Sequence, residues 1–288
     1  VTEASVPHSS AGRHLARALF LGARWHQWRG RPQRALQLCR EAVRHADYPR
    51  ADALMARLTL PGEIYYDVLA RIHAHLRPAT YLEIGIARGE SLQRVLPDTD
   101  VIGIDPQPQL PEPASARQRI VTATSDEFFA QHDLRAEFGG RALDLAFIDG
   151  MHRFEYALRD FINVERWCAP HSVILMHDCY PLDARTSQRE QRTRFWSGDI
   201  WRLLLLLREQ RPDLTVRTIA TPATGLGIVL NPNPASRLLA ERHDQLVESY
   251  LAKDFSVLEG RKPEALGLLP NEWPAIRALL DARPQRAL

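Results

Sequence analysis

Glu83-Ile84-Gly85-Ile86-Ala87-Arg88-Gly89-Glu90-Ser91 is the stretch that decides the fold. An apolar run over 81–86 leads into it with the length of a buried strand, and a short helical pattern over 91–96 follows. Gly85 and Gly89 let the backbone turn tightly and approach a bound molecule, because neither carries a Cβ that would collide with it. The turn reads G-x-x-x-G with an acid two residues before its first glycine. The dinucleotide fingerprint G-x-G-x-x-G is absent, which counts against a nicotinamide cofactor.

Downstream, apolar runs alternate with helical patterns. Strands are expected at 101–105, near 120–123, and at 143–149, 172–178, 214–220 and 227–230, the last two close enough to pair antiparallel. Helices are expected from 126 into the 130s, over 153–168 and over 199–209, and another over 62–75 precedes the first strand. Such alternation predicts an α/β fold with seven strands, mostly parallel, and helices on both faces. The first ten residues read as frayed. From 11 to 60 the pattern is helical: Leu15, Leu19, Ala23 and His26 share a face, Arg29-Gly30-Arg31-Pro32 breaks the run, and Ala35, Leu38, Ala42 and Val43 resume it. This pair resembles a single tetratricopeptide unit, with Trp25, Gly30 and Ala35 in place. One unit cannot bury its own face, so it reads as a cap, lid or dimerisation element, or as a peptide-binding module. Beyond Pro232 the chain is again helical, interrupted by Pro263, Pro270 and Pro274. The expected division is therefore an N-terminal helical cap (1–60), a central sheet domain (61–232) and a C-terminal helical extension (233–288).

At 288 residues with a net charge of +2, the chain is long enough for one enzyme-sized core and is nearly balanced in charge. Its cations are almost all arginine, only Lys253 and Lys262 being lysine, and acids interrupt them along the chain, so no nucleic-acid partner is expected. Cys39, Cys168 and Cys179 are too widely spaced for a disulfide framework or a zinc ribbon, which fits a reducing cytoplasm. No charged-then-apolar leader opens the sequence. The leucine run 203–207 is far short of the roughly 20 residues that span a bilayer, so no membrane partner is expected either.

The second strand ends at Asp105, where a carboxylate can accept hydrogen bonds from two ribose hydroxyls. Here the sequence resembles the class I S-adenosylmethionine-dependent methyltransferases, whose first motif is E/D-x-G-x-x-x-G on a Rossmann-like sheet. The resemblance implies that Glu83, Gly85, Gly89 and Ser91 surround the methionine part of S-adenosylmethionine, that Asp105 holds the ribose, and that Asp149 borders the same ligand. Ser125 and Asp126 stand where the family contacts adenine, and they read equally well as a helix N-cap.

Asp149-Gly150-Met151-His152 follows the fourth strand and His177-Asp178 closes the fifth. If those strands are neighbours, about 4.8 Å apart, Asp149 and Asp178 converge at one edge of the pocket with His152 facing them. Paired carboxylates repel unless a cation or proton lies between them. A hard ion such as Mg²⁺ would settle them and acidify a substrate hydroxyl. His152, titrating near neutrality, would take the hydroxyl proton as the methyl moves, with catalysis coming mainly from alignment. His152 also reads as a surface histidine at a helix start, and His177 as a partly buried structural one.

The stretch Ile148-Asp149-Gly150-Met151-His152-Arg153-Phe154-Glu155-Tyr156, with Leu158-Arg159-Asp160, resembles the macrocin and mycinamicin type of sugar O-methyltransferase over roughly 61–232. This implies methyl transfer to a hydroxyl of a small molecule, a sugar or natural product. It makes Asp149, Asp178 and adjoining His177 metal ligands, His152 the base, and the protein a homo-oligomer. Two positions depart from the branch. His177 stands where an acid is usual, and imidazole is a poorer Mg²⁺ partner than carboxylate; Pro170-His171-Ser172 replaces Pro-Gly-Gly. The rival readings are a NAD-dependent oxidoreductase and a catalytically dead scaffold of the same fold. The polar loop 180–198, with Arg185, Arg189, Arg192, Arg194, Phe195 and Trp196, is placed like a lid. Its arginines suit a phosphorylated or carboxylated substrate, or a solvated mobile loop. Tyr65 and Tyr66 either cover the cofactor or belong to the core.

Overall fold

The computed structural model describes residues 10–110 and 117–285. Apart from Ser10, the frayed start expected from the sequence lies outside those residues. Three helices come first: α1 (Ser10–Trp28), α2 (Pro32–His45) and α3 (Pro49–Thr59). Pro32 and Pro49 sit in the first turns of α2 and α3, where a missing N–H costs nothing. The three build a core of their own from Ala16, Phe20, Ala23, Ala35, Cys39, Ala42 and Met55, with Leu182 packed against it. The helix pair seen in the sequence is thus closed by a third helix.

Helix α4 (Tyr65–Leu76) leads into β1 (Thr80–Ile84), followed by β2 (Asp100–Ile104), β3 (Gln118–Val121), α5 (Ser125–Gln131), α6 (Leu134–Glu137), β4 (Leu143–Ile148), α7 (Phe154–Glu165), β5 (Cys168–Met176), α8 (Trp201–Gln210), β6 (Thr215–Ile219) and β7 (Leu226–Leu230). The C-terminal part adds α9 (Leu238–Glu241), α10 (His243–Leu251), α11 (Lys262–Ala265), β8 (Leu268–Leu269) and α12 (Trp273–Asp281). The sheet has eight strands, not the expected seven, in the order β3-β2-β1-β4-β5-β7-β6-β8. The addition is β8, parallel to β6 through Leu268 and Leu269, a pair too short to leave a periodic signal in the sequence. β7 runs antiparallel to β5 and β6, and the strands from β3 to β5 are parallel.

Both faces of the sheet are buried, which is why its central strands read as unbroken apolar runs. Leu82, Ile84, Ala146, Ile148, Ile174 and Met176 point into one core with Phe128 of α5, Phe161 of α7 and Leu203 of α8. Tyr81, Leu145, Phe147, Val173 and Leu175 point into the other, covered by Val68, Leu69 and Ile72 of α4 and Ile276 and Leu280 of α12. The helix expected at 91–96 shrinks to a single 3₁₀ turn, Leu92–Arg94, because Val95 turns extended just before Pro97 closes the segment. Pro263 and Pro274 occupy first-turn positions of α11 and α12, so they start those helices rather than interrupt a longer one. The three cysteines are free and buried. No helix among the described residues is long and apolar enough to cross a membrane.

The segment 180–198 is a strap rather than a solvated loop. Thr186, Ser187 and Ser197 are buried, and Arg185 donates to Asp52 of α3, whose side chain is fully buried. Burial pushes the Asp52 carboxyl up to about 7 against the pull of Arg185, and its Oδ2 has no hydrogen-bond partner. Arg185→Ala should therefore destabilise the protein on the order of 2–3 kcal/mol, less than a fully buried pair because Arg185 is partly exposed. The added change Asp52→Asn should recover part of that loss in urea denaturation. An unchanged midpoint in Arg185→Ala would show that the strap is not tethered there.

Candidate active site at the carboxyl ends of the strands

From β1 the chain fills the sheet outward to β2 and β3 on one side and to β4 and β5 on the other, so a crevice opens beyond the ends of β1 and β4. Ile84 and Ile148 are register partners, which sets Gly85 beside Asp149. Gly85 has φ +86°, and a Cβ there would overlap the Asp149 carbonyl; Gly89 has φ +76°, and a Cβ there would overlap Leu110. Gly85 is thus required by a backbone contact before any ligand is considered, and Gly89 by its left-handed conformation. Ala87, between them, is also left-handed at φ 47°.

Asp105 ties this turn to the end of β2. Its Oδ2 accepts from the N–H groups of Ile86 and Ala87 at 2.8 and 2.9 Å, and its Oδ1 from Gln107 N–H at 2.7 Å. A carboxylate offers about four acceptor positions, so about one remains. Glu83 is fully buried and receives Tyr81 Oη–H at 2.7 Å and the Ser91 hydroxyl. Burial, reinforced by the charges of Asp149 and Asp105 and opposed by the two hydroxyl bonds, holds the Glu83 carboxyl at about 8. Thr124, rather than Ser125 or Asp126, caps α5: its Oγ1 accepts from Glu127 N–H, and Glu127 accepts from Thr124 N–H. Asp126 is bound to Arg159 of α7 at 2.7 and 3.1 Å, and Ser125 hydrogen-bonds Asp160, a buried carboxyl lying beside Gly150.

β4 and β5 are parallel neighbours with Ile148 paired to Met176, and the residues just past them converge. Ligand atoms of Asp149, His152 and Asp178 all lie within 4.8 Å of one another. His152 Nδ1 is 2.9 Å from Asp178 Oδ2 without hydrogen-bond alignment, and its Nε2 is 3.6 Å from Asp149 Oδ1. Asp178 sits in the left-handed region at φ 58°, a conformation aspartate tolerates better than most residues, and its Oδ1 accepts from Thr224 Oγ1 at 2.5 Å. His177 stands outside the trio. Its Nδ1 is 3.2 Å from Asp149 Oδ1, and its ring lies 4.0 Å from that of Tyr65. Tyr65 in turn stacks on Tyr66 at 4.1 Å, so Tyr65 forms a wall of the site.

The cluster shifts its members strongly. Burial opposes the charged form of His152, but Asp178 and Asp149 override it and push the imidazole up to about 11, far above the near-neutral value expected from the residue type. Burial raises the Asp149 carboxyl, and the two histidines outweigh that and draw it down to about 2. Asp149 is thus held as a carboxylate against imidazolium charge. Over the cluster lies the strap. Trp196 stacks on His152 with ring centroids 5.3 Å apart, held by its indole N–H on the Gln188 carbonyl at 2.6 Å. Gly198, at φ +61°, passes so close that a Cβ would overlap the His152 carbonyl. Thr224 and Gly198 carried no signal among the sequence motifs, since each reaches the site only through tertiary contact; the nearest hint was a lone glycine after the Phe195-Trp196 pair.

Residues 82–179, from β1 to just past β5, match the family model described as Methyltransferase domain. No curated protein matches the chain. Among solved structures, cofactor-bound Rv0187 from MTB is 17% identical over 65% of this chain and 91% of its own, with a TM-score of 0.47. The O-methyltransferase TomG from Streptomyces achromogenes, involved in tomaymycin synthesis and solved with SAM, is 16% identical over 63% of this chain and 88% of its own, with a TM-score of 0.46.

Gly198→Ala should displace His152, whatever the site's chemistry. The expected result is a stability loss of about 1–3 kcal/mol from strain and overlap, together with loss of the ring-current shift that Trp196 imposes on the His152 imidazole protons. An NMR spectrum of the variant with those protons unmoved would contradict the packing described.

Proposed function

We propose that the chain transfers a methyl group from S-adenosylmethionine to a hydroxyl of a small molecule. The observation that carries this reading is the convergence of Asp149, His152 and Asp178 next to the glycine turn, within the segment that matches the methyltransferase-domain family model. The chemistry of the residues present fits the donor. Glu83, Asp105 and Asp149 lie at the ends of three adjacent strands, and the charges of the other two raise the Glu83 carboxyl. A ligand carrying an ammonium and a sulfonium adds positive charge beside Glu83 and Asp105, neither of which has a cationic side-chain partner among the described residues. Glu83, Gly85, Gly89 and Ser91 would face its methionine part, Asp105 would offer its remaining acceptor position to a ribose hydroxyl, and Ser125 and Asp126 border the adenine end. Leu110, which lies over Gly89, must move aside for that ligand to enter.

Asp149 and Asp178 would hold a divalent ion such as Mg²⁺ through hard oxygen donors, which lie with a His152 nitrogen within 4.8 Å of one another. When bound, such an ion offsets the negative charge that keeps His152 protonated and acidifies an acceptor hydroxyl. His177, with its Nδ1 3.2 Å from Asp149 Oδ1 and 3.6 Å from Asp178 Oδ2, balances the charge of the pair and orients Asp149. His152 takes the hydroxyl proton at Nε2, the nitrogen turned away from Asp178. Trp196 and Tyr65 exclude water from above and from the side. The acceptor we favour is a sugar or a sugar-bearing natural product, on the resemblance of the stretch from Ile148 to Asp160 to that branch.

Calorimetric titration separates the readings. S-adenosylmethionine should bind, and NAD should not. His152→Ala and Asp149→Ala should each lower methyl transfer by at least about 10²-fold, as loss of a general base or charge partner does, with S-adenosylmethionine affinity within a few-fold of the parent. Binding of NAD in place of S-adenosylmethionine, or full activity in both variants, would overturn the proposal.

A further inference from the structure

A cavity of about 570 Å³ opens between the strap and the first turns of α7 and α8, lined among others by Arg153, Arg189, Arg192, Arg202, Trp201 and Phe255. It shares no side chain with the Asp149–His152–Asp178 cluster, yet its back wall is one residue away. Arg153 follows His152 in the chain. Asp199, which anchors the wall, donates its own N–H to the His152 carbonyl at 3.3 Å and accepts from Phe154 N–H at 2.8 Å. The cavity and the cluster are thus joined through the backbone at His152.

The inner wall is made of donors. Arg189 grips both Glu155 oxygens at 2.7 and 2.8 Å and reaches Asp199 at 3.1 Å, while Arg202 holds Asp199 at 3.3 Å and the Lys253 carbonyl at 2.6 Å. Those contacts fix the two guanidinium groups and occupy Glu155 and Asp199, but each arginine has five N–H donors and keeps some of them. Arg153 is half-buried, and its charge acts on Glu155, whose two oxygens Arg189 already holds. Trp201 is 1% exposed, and its indole N–H is buried without a partner. The cavity's remaining acids stand at the rim or are engaged: Glu190 is 73% exposed, and Asp254 Oδ1 accepts from Ser256 N–H. An arginine-rich lining whose inner acids are already held by Arg189 and Arg202 calls for a ligand rich in acceptors, and charge-assisted bonds from arginine favour an oxyanion.

We propose that this cavity seats an oxyanion group, phosphate or carboxylate, of the methyl acceptor, so that the acceptor is an acidic polyhydroxylated molecule such as a sugar phosphate or sugar acid. The identification of the ligand as the acceptor rests on the methyl-transfer reading; the oxyanion site itself does not. The volume suits a ligand of that size, since small-molecule sites span roughly 300–1,000 Å³. It also divides the arginines: Arg185 and Arg189 hold the strap, Arg153 meets the ligand from the start of α7, and Arg192, paired with Glu190 at 3.8 Å, stands at the rim.

The test uses the whole chain labelled with ¹⁵N at tryptophan, titrated with inorganic phosphate and separately with malonate, without any methyl donor. At least one of the two anions should move the Trp201 indole N–H resonance in a saturable way, phosphate if the group is a phosphate and malonate if it is a carboxylate. Arg153→Gln should weaken that binding by about tenfold or more. If neither anion moves the Trp201 signal, or if Arg153→Gln binds as the parent does, the site is not an oxyanion site. A parallel titration with S-adenosylmethionine keeps the two ideas apart. Anion binding without S-adenosylmethionine binding would leave the site standing and remove its role as an acceptor subsite, whereas the converse would remove the site alone.

Discussion

The contact on which the site depends is the close approach of the Gly85 backbone to the Asp149 carbonyl, where the turns after β1 and β4 meet. Only a residue without a Cβ fits there, and it fits only in the left-handed conformation. This approach fixes where Asp149 begins its loop, and with it the direction in which His152 returns over the strand ends. Asp105 reinforces the same corner through its bonds to the Ile86 and Ala87 amides, so the glycine turn, β2 and β4 form one rigid seat. A site built on such a seat holds its charged groups closer than they would lie in water, and their energetics follow from that closeness.

Charge balance is the second level of the design. Asp149 and Asp178 stand on adjacent strands with His152 and His177 between and beside them, and Thr224 takes one of the Asp178 oxygens. Each partner stabilises the charged form of the other, which places the imidazole of His152 far from the near-neutral range in which a histidine acts as a base. The role of base and the presence of a divalent ion are therefore one question for this cluster. The strap adds the cover: Trp196 lies flat on His152, Gly198 presses on its carbonyl, and Arg185 and Arg189 pin the strap to α3 and α7. Through Arg185 the strap that covers the cluster is tied to the N-terminal helices.

Much of this was legible in the residues because the central strands are buried on both faces and so appear as apolar runs, and because the turns after β1, β4 and β5 carry their glycine, aspartate and histidine within a few residues of a strand end. The convergence of Asp149, His152 and Asp178 needed only the adjacency of β4 and β5. What sequence reading missed depends on contacts between distant segments. β8 is two residues long and is defined by its partner β6 alone. The arginines of the strap looked like solvated charge because Asp52, Glu155 and Asp199, which bind two of them, lie as far as 133 positions away. The position of His177 is set by tertiary contacts, its Nδ1 3.2 Å from Asp149 Oδ1 and its ring against that of Tyr65. Asp105 was read as a free acceptor, whereas the chain already uses most of it.

The account stands or falls on the charge state of one imidazole. A ¹H–¹⁵N NMR titration of His152, in metal-free protein and again with saturating Mg²⁺, measures it directly. The account predicts a ring protonated to well above pH 7 without metal, with a titration midpoint that falls toward neutrality when the ion is added. A metal-free midpoint near the ordinary histidine value of about 6.5, or one that Mg²⁺ leaves unmoved, would contradict it.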